Sequence, residues 1–239
     1  MITSYVCVDV ETTGLNAKEE KLIEIGAVKV INGEIVDRFH SFLQPGKQIG
    51  AHIEELTGIT DKMLEGAPLA KEVMPKFHMF CEDLPLLGHN LIFDYSFLKK
   101  GMANENLTFE KMGIDTLRIS RKYLPELESR RLEFLCQHFK IKHTAHRALG
   151  DAEATNILYQ KLCAMFGEKD AIEEANVFLP KALLYNVKKE QPITIAQKEQ
   201  IQRYLQVLGI TLDQDLDLMT RAEASRFMQK HYAQYKERK

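Results

Sequence analysis

Residues 6–15 read VCVDVETTGL, an apolar run that takes in two acidic residues and then stops at Thr-Thr-Gly. Side chains two residues apart on a β-strand project from the same face, so Asp9 and Glu11 face the same way. Two carboxylates at the end of a buried strand repel each other and are costly to remove from water. A hard divalent cation relieves both problems. Alternatively, the strand ends at Val10 and Glu11 is merely solvated, and this stretch alone leaves both interpretations open.

The composition predicts one globular domain, or one domain with a small appendage, because the chain has 239 residues and 45% of them are hydrophobic. The net charge of −2 gives no overall basic field, so any binding of nucleic acid must rely on local patches. No apolar run approaches the roughly 20 residues that span a bilayer. The first ten residues lack the basic start of a secretion signal, and the four cysteines form no Cys-x-x-Cys pair. We therefore expect a cytoplasmic protein without membrane contact.

Around the opening strand, the pattern alternates between strands and helices. Residues 21–31 and 34–43 read as two strands joined by Asn32-Gly33, a strong hairpin signal. A short buried strand is predicted at 85–88. Helical spacing of apolar residues predicts helices at 68–82, 91–103, 116–123, 130–139 and 148–166. This order indicates an α/β protein with a mixed sheet and helices on its faces.

A second, smaller unit is predicted at the C-terminal end. We divide the chain into a main domain at 1–170, a proline-containing linker at 171–193, and a helical hairpin module at 194–239. Thr194 and Thr220 each begin a capping box, with Gln or Glu three residues later. A unit of this size is near the limit of independent folding, so we expect it to dock on the main domain or on a partner.

A third acidic residue follows the short strand at 85–88. Asp94 lies in the first turn of the helix that is predicted after Gly-His-Asn-Leu. Considered alone, Asp94 is more typical of an acid that stabilises a helix N-terminus, and Asn90 of a helix cap.

The segment His146-Arg-Ala-Leu-Gly-Asp151 carries a fourth acid and a histidine. On one continuous helix, two residues five apart would point about 140° away from each other. They can share a site only if His146 lies in the loop and Asp151 on the helix. The alternative is a loop histidine and an unrelated acid of the first turn.

Four carboxylates and one histidine are a set of side chains that suits two-metal phosphodiester hydrolysis. Together with their order, the motifs Asp9-Val-Glu11-Thr-Thr-Gly-Leu, His89-Asn-(x)3-Asp94 and His146-(x)4-Asp151 resemble those of the DnaQ-like 3′→5′ exonucleases with the Asp-Glu-Asp-Asp-His pattern. That family includes the proofreading epsilon subunit of bacterial DNA polymerase III. The resemblance covers about residues 1–166, and it implies an RNase H-like fold with a five-stranded mixed sheet flanked by helices.

The resemblance also implies roles for these residues. The two Mg²⁺ or Mn²⁺ ions of the family would be held by Asp9, Glu11, Asp94 and Asp151, with Asp9 bridging both. His146 would act as the general base, because a related subgroup with a tyrosine base places it where this chain has Arg147.

The same resemblance implies a groove for the substrate. Its expected lining is Thr12, Thr13, Gly14, Leu15, Leu56, Thr57, Ile59, His89, Asn90 and Phe97. Leu15 would wedge against the terminal base. Phe97 would pack under the terminal sugar or base, although its position suits a core residue equally well. A basic run, with eight Lys or Arg against three acids between 118 and 147, is a further candidate for contact with phosphates.

The expected activity is that of a metal-dependent 3′→5′ exonuclease that releases nucleoside 5′-monophosphates from the 3′ ends of single-stranded DNA, in proofreading or repair. The polarity and the end specificity come from the resemblance, whereas the residues alone indicate metal-assisted phosphodiester cleavage. Two alternatives remain open. The chain could prefer RNA, or it could serve as a docking subunit of a DNA polymerase that acts through the module at 194–239.

Overall fold

The computed structural model describes residues 1–142 and 146–238. Within these ranges the strands are β1 (Tyr5–Thr12), β2 (Leu22–Ile31), β3 (Glu34–Phe42), β4 (Leu86–Gly88), β5 (Met112–Asp115) and β6 (Lys181–Ala182). The helices are α1 (Ala51–Thr57), α2 (Asp61–Leu64), α3 (Ala70–Cys81), α4 (Ile92–Asn104), α5 (Thr116–Tyr123), α6 (Leu132–His138), α7 (Ala148–Ile172), α8 (Ile195–Leu208) and α9 (Arg221–Arg238), with a short 3-10 helix at Leu216–Leu218.

The strands of the described residues form one six-stranded sheet in the order β3-β2-β1-β4-β5-β6. Strand β1 lies at its centre, antiparallel to β2 and parallel to β4. The predicted mixed α/β class is therefore confirmed, but the expected five strands become six, since β6 pairs with β5 inside the segment that we predicted as a linker. Two residues are too few to show the alternation by which a strand is predicted.

The side chains of β1 alternate between two apolar layers. Val6, Val8 and Val10 pack with α3 and α4, whereas Tyr5 and Cys7 pack with α7 on the other face. The Cys7 thiol donates a hydrogen bond to the carbonyl of Ala152, at 3.1 Å. Because the alternation continues along the strand, the next residues on the α7 face are the two acids.

Helix α7 extends further than the sequence pattern predicts. It continues to Ile172, past the predicted end at 166. Gly167 lies inside the helix and against the Met1 side chain, where an added Cβ would approach the sulfur to 2.1 Å. The glycine that weakens the helical pattern is thus a site of close packing.

The predicted linker is packed against the sheet. Val177 and Phe178 are buried in the apolar layer beside α7. Further along, Glu190 pairs with Lys100 of α4, at 3.1 Å. Residues 171–193 therefore form part of the main body rather than a free tether.

The module at 194–239 contains two helices, but the predicted hairpin is wrong. Near the N-terminal ends of the two helices, the side chain of Gln197 in α8 donates a hydrogen bond to the hydroxyl of Ser225 in α9. At their C-terminal ends, the side chain of Arg238 in α9 donates to the carbonyl of Leu208 in α8. Helices α8 and α9 therefore run in the same direction. The connection between them can span the length of α8 on its return, because an extended chain covers about twice the rise per residue of a helix.

The module has its own small core and also contacts the main domain. Tyr204 and Tyr235 stack with ring centroids 4.0 Å apart. The backbone N–H of Asp215 donates to the carbonyl of Gly46, and Lys21 pairs with a glutamate of α9 at 3.1 Å. No helix in the described part of the chain is both long and apolar enough to cross a bilayer.

Candidate active site and metal centre

Three of the predicted acids meet where β1 ends and α7 begins. Each of Asp9, Glu11 and Asp151 offers a carboxylate oxygen, and these oxygens lie within 4.8 Å of one another. Asp151 belongs to the first turn of α7, so the cluster joins residues that are 140 positions apart in sequence. The end of β1 and the start of α7, which the sequence singled out separately, are thus adjacent in the structure.

Helix α7 can approach β1 so closely because β2 carries a glycine beside it. Gly26 is the register partner of Asp9. A Cβ at Gly26 would lie 2.0 Å from the backbone nitrogen of Leu149 and 2.2 Å from the carbonyl carbon of Ala148. The bare glycine therefore lets the first turn of α7 rest directly on the sheet, which brings Asp151 to the acids of β1.

Glu24 is a site residue that the sequence argument missed. It lies opposite Glu11 in the register of β1 and β2, and it is fully buried. Its carboxylate accepts hydrogen bonds from the Arg147 guanidinium at 3.1 Å, from the backbone N–H of Ala148 at 3.2 Å, and it is bonded to the His40 ring at 2.6 Å. The only signal in the sequence is a charged residue within the otherwise apolar strand LIEIGAV.

These contacts fix the loop that precedes α7. The N–H of Arg147 donates to the Asp151 carboxylate at 3.0 Å, while the Arg147 side chain is held by Glu24. His146, immediately before Arg147, is half-buried and has a backbone φ of +64°. A left-handed backbone is uncommon at a residue with a Cβ, and the ties at Arg147 offset its cost.

The structure places His146 in the loop and Asp151 on the helix, which is the arrangement that the five-residue spacing requires for a shared site.

Asp94 approaches the same strand from the opposite layer. It is buried in the first turn of α4, and its carboxylate accepts a hydrogen bond from the backbone N–H of Val10 at 3.0 Å. Val10 is the residue between the two acids of β1. Asp94 therefore lies next to the cluster, although it is not among the acids that meet within 4.8 Å.

The electrostatics of the cluster favour a bound cation. Burial raises the pKa of Asp9 well above its ordinary value, and the nearby Asp94 and Asp151 raise it further. Burial, Asp151 and Glu24 raise the pKa of Glu11 to about 8, although Arg147 opposes the shift. Burial also raises the pKa of Asp94, against the effect of the Val10 N–H. Oxygen ligands with excess negative charge suit Mg²⁺ or Mn²⁺, so the residues fit a divalent metal site.

The loop that follows β1 has a closed base and an exposed tip. The hydroxyl of Thr12 donates to the carbonyl of Gly14, and that of Thr13 donates to Glu20. Leu15 at the tip is 87% exposed. Hydrogen bonds of Thr12 and Thr13 thus stabilise the conformation of the loop, and the Leu15 side chain projects into solvent.

The other residues predicted for the substrate groove fall into two groups. Leu56 and Asn90 are exposed. Thr57, Ile59 and Phe97 are buried, and the Phe97 ring packs against Phe93, so the structure places it in the core.

His89 is half-buried, and both of its ring nitrogens are engaged. Nδ1 is bonded to the Thr116 hydroxyl, and Nε2 donates to the carbonyl of Arg130, each at 2.8 Å. Burial lowers the pKa of this imidazole. These contacts tie the end of β4 to α5 and to the segment before α6.

Comparison with known proteins supports the same reading. The sequence model of the RNase T family, described as exonucleases, matches residues 6–159, which is more than half of the chain. The chain belongs to the RNase T exonuclease family. The predicted resemblance to DnaQ-like exonucleases is thereby confirmed at the level of the family.

Among curated relatives, this exonuclease resembles PolC-type DNA polymerases III. The similarity to that of Halalkalibacterium halodurans is 39% identity over 209 residues, covering 83% of this chain and 14% of the relative. For Bacillus subtilis it is 43% over 175 residues, covering 72% and 12%. The chain thus spans about one eighth of the length of these relatives.

Solved structures share the fold of this exonuclease at low sequence identity. Exonuclease X in complex with 5′-overhanging duplex DNA superposes with a TM-score of 0.55 and 24% identity, covering 68% of this chain and 93% of that one. Escherichia coli exonuclease I in complex with a dT13 oligonucleotide superposes with a TM-score of 0.65 and 16% identity, covering 81% and 49%. The predicted RNase H-like fold is confirmed.

Proposed function

We propose that this chain is a metal-dependent 3′→5′ exonuclease that removes nucleoside 5′-monophosphates from the 3′ end of single-stranded DNA. The observation that carries the proposal is the convergence of Asp9, Glu11 and Asp151 within 4.8 Å, beside the buried Asp94. Single-stranded DNA as substrate is supported by the oligonucleotide complex of the structural neighbour exonuclease I. The polarity is inferred from the resemblance to DnaQ-like exonucleases.

Two divalent cations, Mg²⁺ or Mn²⁺, are proposed as cofactors. We assign their ligands as Asp9, Glu11, Asp94 and Asp151. Bound there, the ions would supply an activated water and neutralise charge that develops on the phosphate. The raised pKa values of Asp9 and Glu11 support this assignment, because a cation offsets the repulsion that causes them.

His146 is proposed as the general base. A neutral imidazole accepts a proton near pH 7, and the loop position of His146 places it on a different element from Asp151. The ties of Arg147 to Glu24 and Asp151 fix the backbone next to His146, which limits the directions that its side chain can take. A base whose orientation is already fixed loses little entropy when it accepts the proton.

The terminal nucleotide is proposed to bind between the loop after β1 and the start of α4. Leu15, Leu56 and Asn90 are the exposed residues of the predicted groove and are assigned to direct contact. Thr12, Thr13 and Gly14 shape the loop through the hydrogen bonds described above. The buried members, Thr57, Ile59 and Phe97, and the half-buried His89 are assigned a supporting role beneath the groove.

The direct test uses single-stranded DNA and RNA of the same sequence, each labelled at the 5′ end, with Mg²⁺, Mn²⁺ or EDTA. A ladder shortened from the 3′ end of DNA, and absent in EDTA, supports the proposal. Faster shortening of RNA would favour the RNA alternative. Cleavage that persists in EDTA would contradict a metal-dependent mechanism.

His146→Ala separates the two roles that a histidine can have here. We expect a large loss of turnover, of the order of 10²–10⁴-fold for removal of a general base, with little change in the metal concentration needed for half-maximal activity. If His146→Ala mainly raises that metal concentration, the histidine is a ligand and the proposed role is wrong.

A place beside a DNA polymerase is proposed as the setting of this activity. The support is the similarity to a short portion of PolC-type DNA polymerases III. We propose the module at 194–239, connected through 171–193 to the exonuclease domain at 1–170, as the contact region. Co-elution of the full chain with a replicative polymerase, lost on substitution of exposed residues of α9 such as Tyr232→Ala, would support this setting.

A further inference from the structure

A cavity of about 900 Å³ lies where the loop after β1, the segment 185–191 and the start of α9 meet. It is lined on one side by Ala17 and Lys18, and on the others by Lys100, Tyr185 and Arg221, among further residues of that segment. Lys18 follows Leu15 by three residues, so the rim of the cavity is part of the same loop that borders the acidic cluster. One loop, the segment after β1, thus contributes both to the proposed substrate groove and to the rim of the cavity.

The cavity is strongly cationic in a chain whose net charge is −2. Its lining contains one carboxylate, Glu190, against five basic side chains, which are Lys18, Lys100, Lys188, Lys189 and Arg221. Glu190 is already engaged by Lys100 at 3.1 Å and by Lys21 at 3.7 Å. An excess of four positive charges thus lines one cavity that is open to solvent, and such an excess attracts a polyanion.

Three of these basic side chains are available for a ligand. Lys189 donates to the side chain of Asn106 at 2.6 Å, and Lys100 is held by Glu190. Lys18, Lys188 and Arg221 are exposed, and none of them forms an ion pair with any residue in 1–142 or 146–238. Their ammonium and guanidinium groups can therefore contact phosphates without breaking an existing pair.

The basic run at 118–147 offers less free charge than its sequence suggests. Arg147 is bound to Glu24, Lys122 pairs with Glu173 at 3.4 Å, and Arg130 donates to backbone carbonyls of the preceding turn. The cavity differs from that run because its cations line a single concave site beside an aromatic ring.

The remaining lining also suits a nucleic-acid strand. Tyr185 is half-buried and contributes an aromatic ring beside the cations. Proteins that bind single strands combine a cationic groove with aromatic rings on which bases stack. The volume matches that of ordinary ligand sites, which span about 300–1,000 Å³.

We propose that this cavity binds the sugar–phosphate backbone of a single-stranded nucleic acid at nucleotides upstream of the reacting 3′ end. Lys18, Lys188 and Arg221 contact successive phosphates, and Tyr185 offers a stacking surface. The proposal rests on the proposed exonuclease function for the direction of the strand, but the binding itself is independent of catalysis.

The first test measures binding without turnover. The full chain is held in EDTA, and its affinity for a fluorescent single-stranded oligonucleotide of about 20 nucleotides is followed by anisotropy as salt rises. The cavity variant is Lys188→Glu with Arg221→Glu. The control is Lys161→Glu with Lys230→Glu, which makes the same change in net charge at exposed lysines outside the cavity lining.

We expect the cavity variant to lose affinity by about tenfold or more at low salt, with a slope of log K against log salt that is smaller by about 1.4, since each single-strand phosphate contact contributes about 0.7. The control should stay within about twofold of the wild type. Equal losses in both variants, or no loss in the cavity variant, would overturn the proposal.

Poly-glutamate tests for a general anion site. If it displaces the oligonucleotide from the wild type as effectively as unlabelled oligonucleotide at equal charge, the cavity recognises charge alone and the assignment to nucleic acid is wrong. Weaker displacement by poly-glutamate supports recognition of the strand.

The second test separates the cavity from the proposed catalytic function. KM is measured for the oligonucleotide and for the p-nitrophenyl ester of thymidine 5′-monophosphate, which has no upstream nucleotides. The KM for the oligonucleotide, divided by the KM for the ester, should rise about tenfold in the cavity variant. The same ratio should not change in the control. If the wild type hydrolyses neither substrate, the proposed function fails, while the anisotropy measurement still decides the cavity.

Discussion

The buried carboxylate of Glu24 on β2 holds the guanidinium of Arg147, the residue next to the proposed base, at 3.1 Å. The pair is 123 positions apart in sequence and ties the loop before α7 to the central sheet. Through the N–H of Arg147, the same tie reaches Asp151 of the acidic cluster. One ion pair therefore positions both ends of the His146–Asp151 segment.

Arg147→Lys should reduce kcat by about 10–100-fold, the range typical of residues that orient the groups around a metal. Lysine keeps the charge but loses the planar fork that meets Glu24, so the loop loses its fixed direction. KM for the oligonucleotide should change little. The control is Arg38→Lys, because Arg38 pairs with Glu153 on an exposed surface at 2.7 Å. An equal loss of kcat in both variants would contradict a positioning role for Arg147.

Gly26→Ala should lower both stability and activity. The added Cβ would meet backbone atoms of α7 at 2.0–2.4 Å, so the helix must move away from the acids of β1. Overpacking of this kind costs about 1–3 kcal/mol in the free energy of unfolding.

Urea unfolding measures the stability change in Gly26→Ala. The matched control is Gly50→Ala, because a Cβ at Gly50 meets nothing within 4 Å and its φ is −73°. Gly50→Ala should cost less than about 1 kcal/mol, because Gly50 is the N-cap of α1, where glycine is favoured over alanine, but the added Cβ meets no atom. If Gly26→Ala unfolds at the same urea concentration as Gly50→Ala, the close approach of α7 to β2 is wrong.

The acidic cluster should make the metal-free protein less stable as pH rises. The pKa of Glu11 is raised from 4.5 to about 8, so the folded state retains a proton that the unfolded chain releases. For an acid with a raised pKa, the contribution to stability is full below about pH 4.5 and is lost as pH rises through about 8. Glu11→Gln should therefore flatten the pH dependence of the melting temperature in EDTA over this window.

Mg²⁺ should restore this lost stability, because a ligand that binds only the folded state raises the free energy of unfolding. We expect the rise in melting temperature with Mg²⁺ to be larger near pH 8 than near pH 5, where protons compete for the carboxylates. If the melting temperatures of the wild type and of Glu11→Gln depend on pH in the same way in EDTA, the raised pKa of Glu11 is wrong.

Leu15→Ala and Phe97→Ala should distinguish a residue that contacts the substrate from a residue that stabilises the fold. Leu15 is 87% exposed, so its truncation should alter stability by less than about 0.5 kcal/mol and should raise KM for the oligonucleotide. Phe97 is 2% exposed, so its truncation should cost about 3–5 kcal/mol in the free energy of unfolding. An unchanged KM in Leu15→Ala would remove this residue from the proposed groove.

Much of the central fold was predictable because its signals are local. The alternation along β1, the Asn-Gly turn between β2 and β3, and the helical spacing in α3 and α4 all lie within short windows of sequence. The helical spacing from residue 148 onward also predicted a change from loop to helix between His146 and Asp151. Each of these features depends on residues that are near one another in the chain.

What could not be predicted depends on distant partners. Glu24 stands out only as a charge in an apolar strand, and its partner Arg147 is far away in sequence. The extension of α7 past 166 relies on the packing of Gly167 against Met1. The parallel course of α8 and α9 follows from how the connection at 209–220 returns, which capping signals at the helix starts do not reveal.

Isothermal titration calorimetry with Mn²⁺ measures whether Asp9, Glu11 and Asp151, with Asp94, form a site for two divalent cations. The wild type should bind two Mn²⁺ ions per chain, and Asp9→Asn should strongly weaken that binding, because the variant removes one of the three carboxylates that meet within 4.8 Å. Asp83→Asn, at an exposed acid outside the cluster, serves as the control and should bind as the wild type does. Unchanged Mn²⁺ binding in Asp9→Asn would contradict the account.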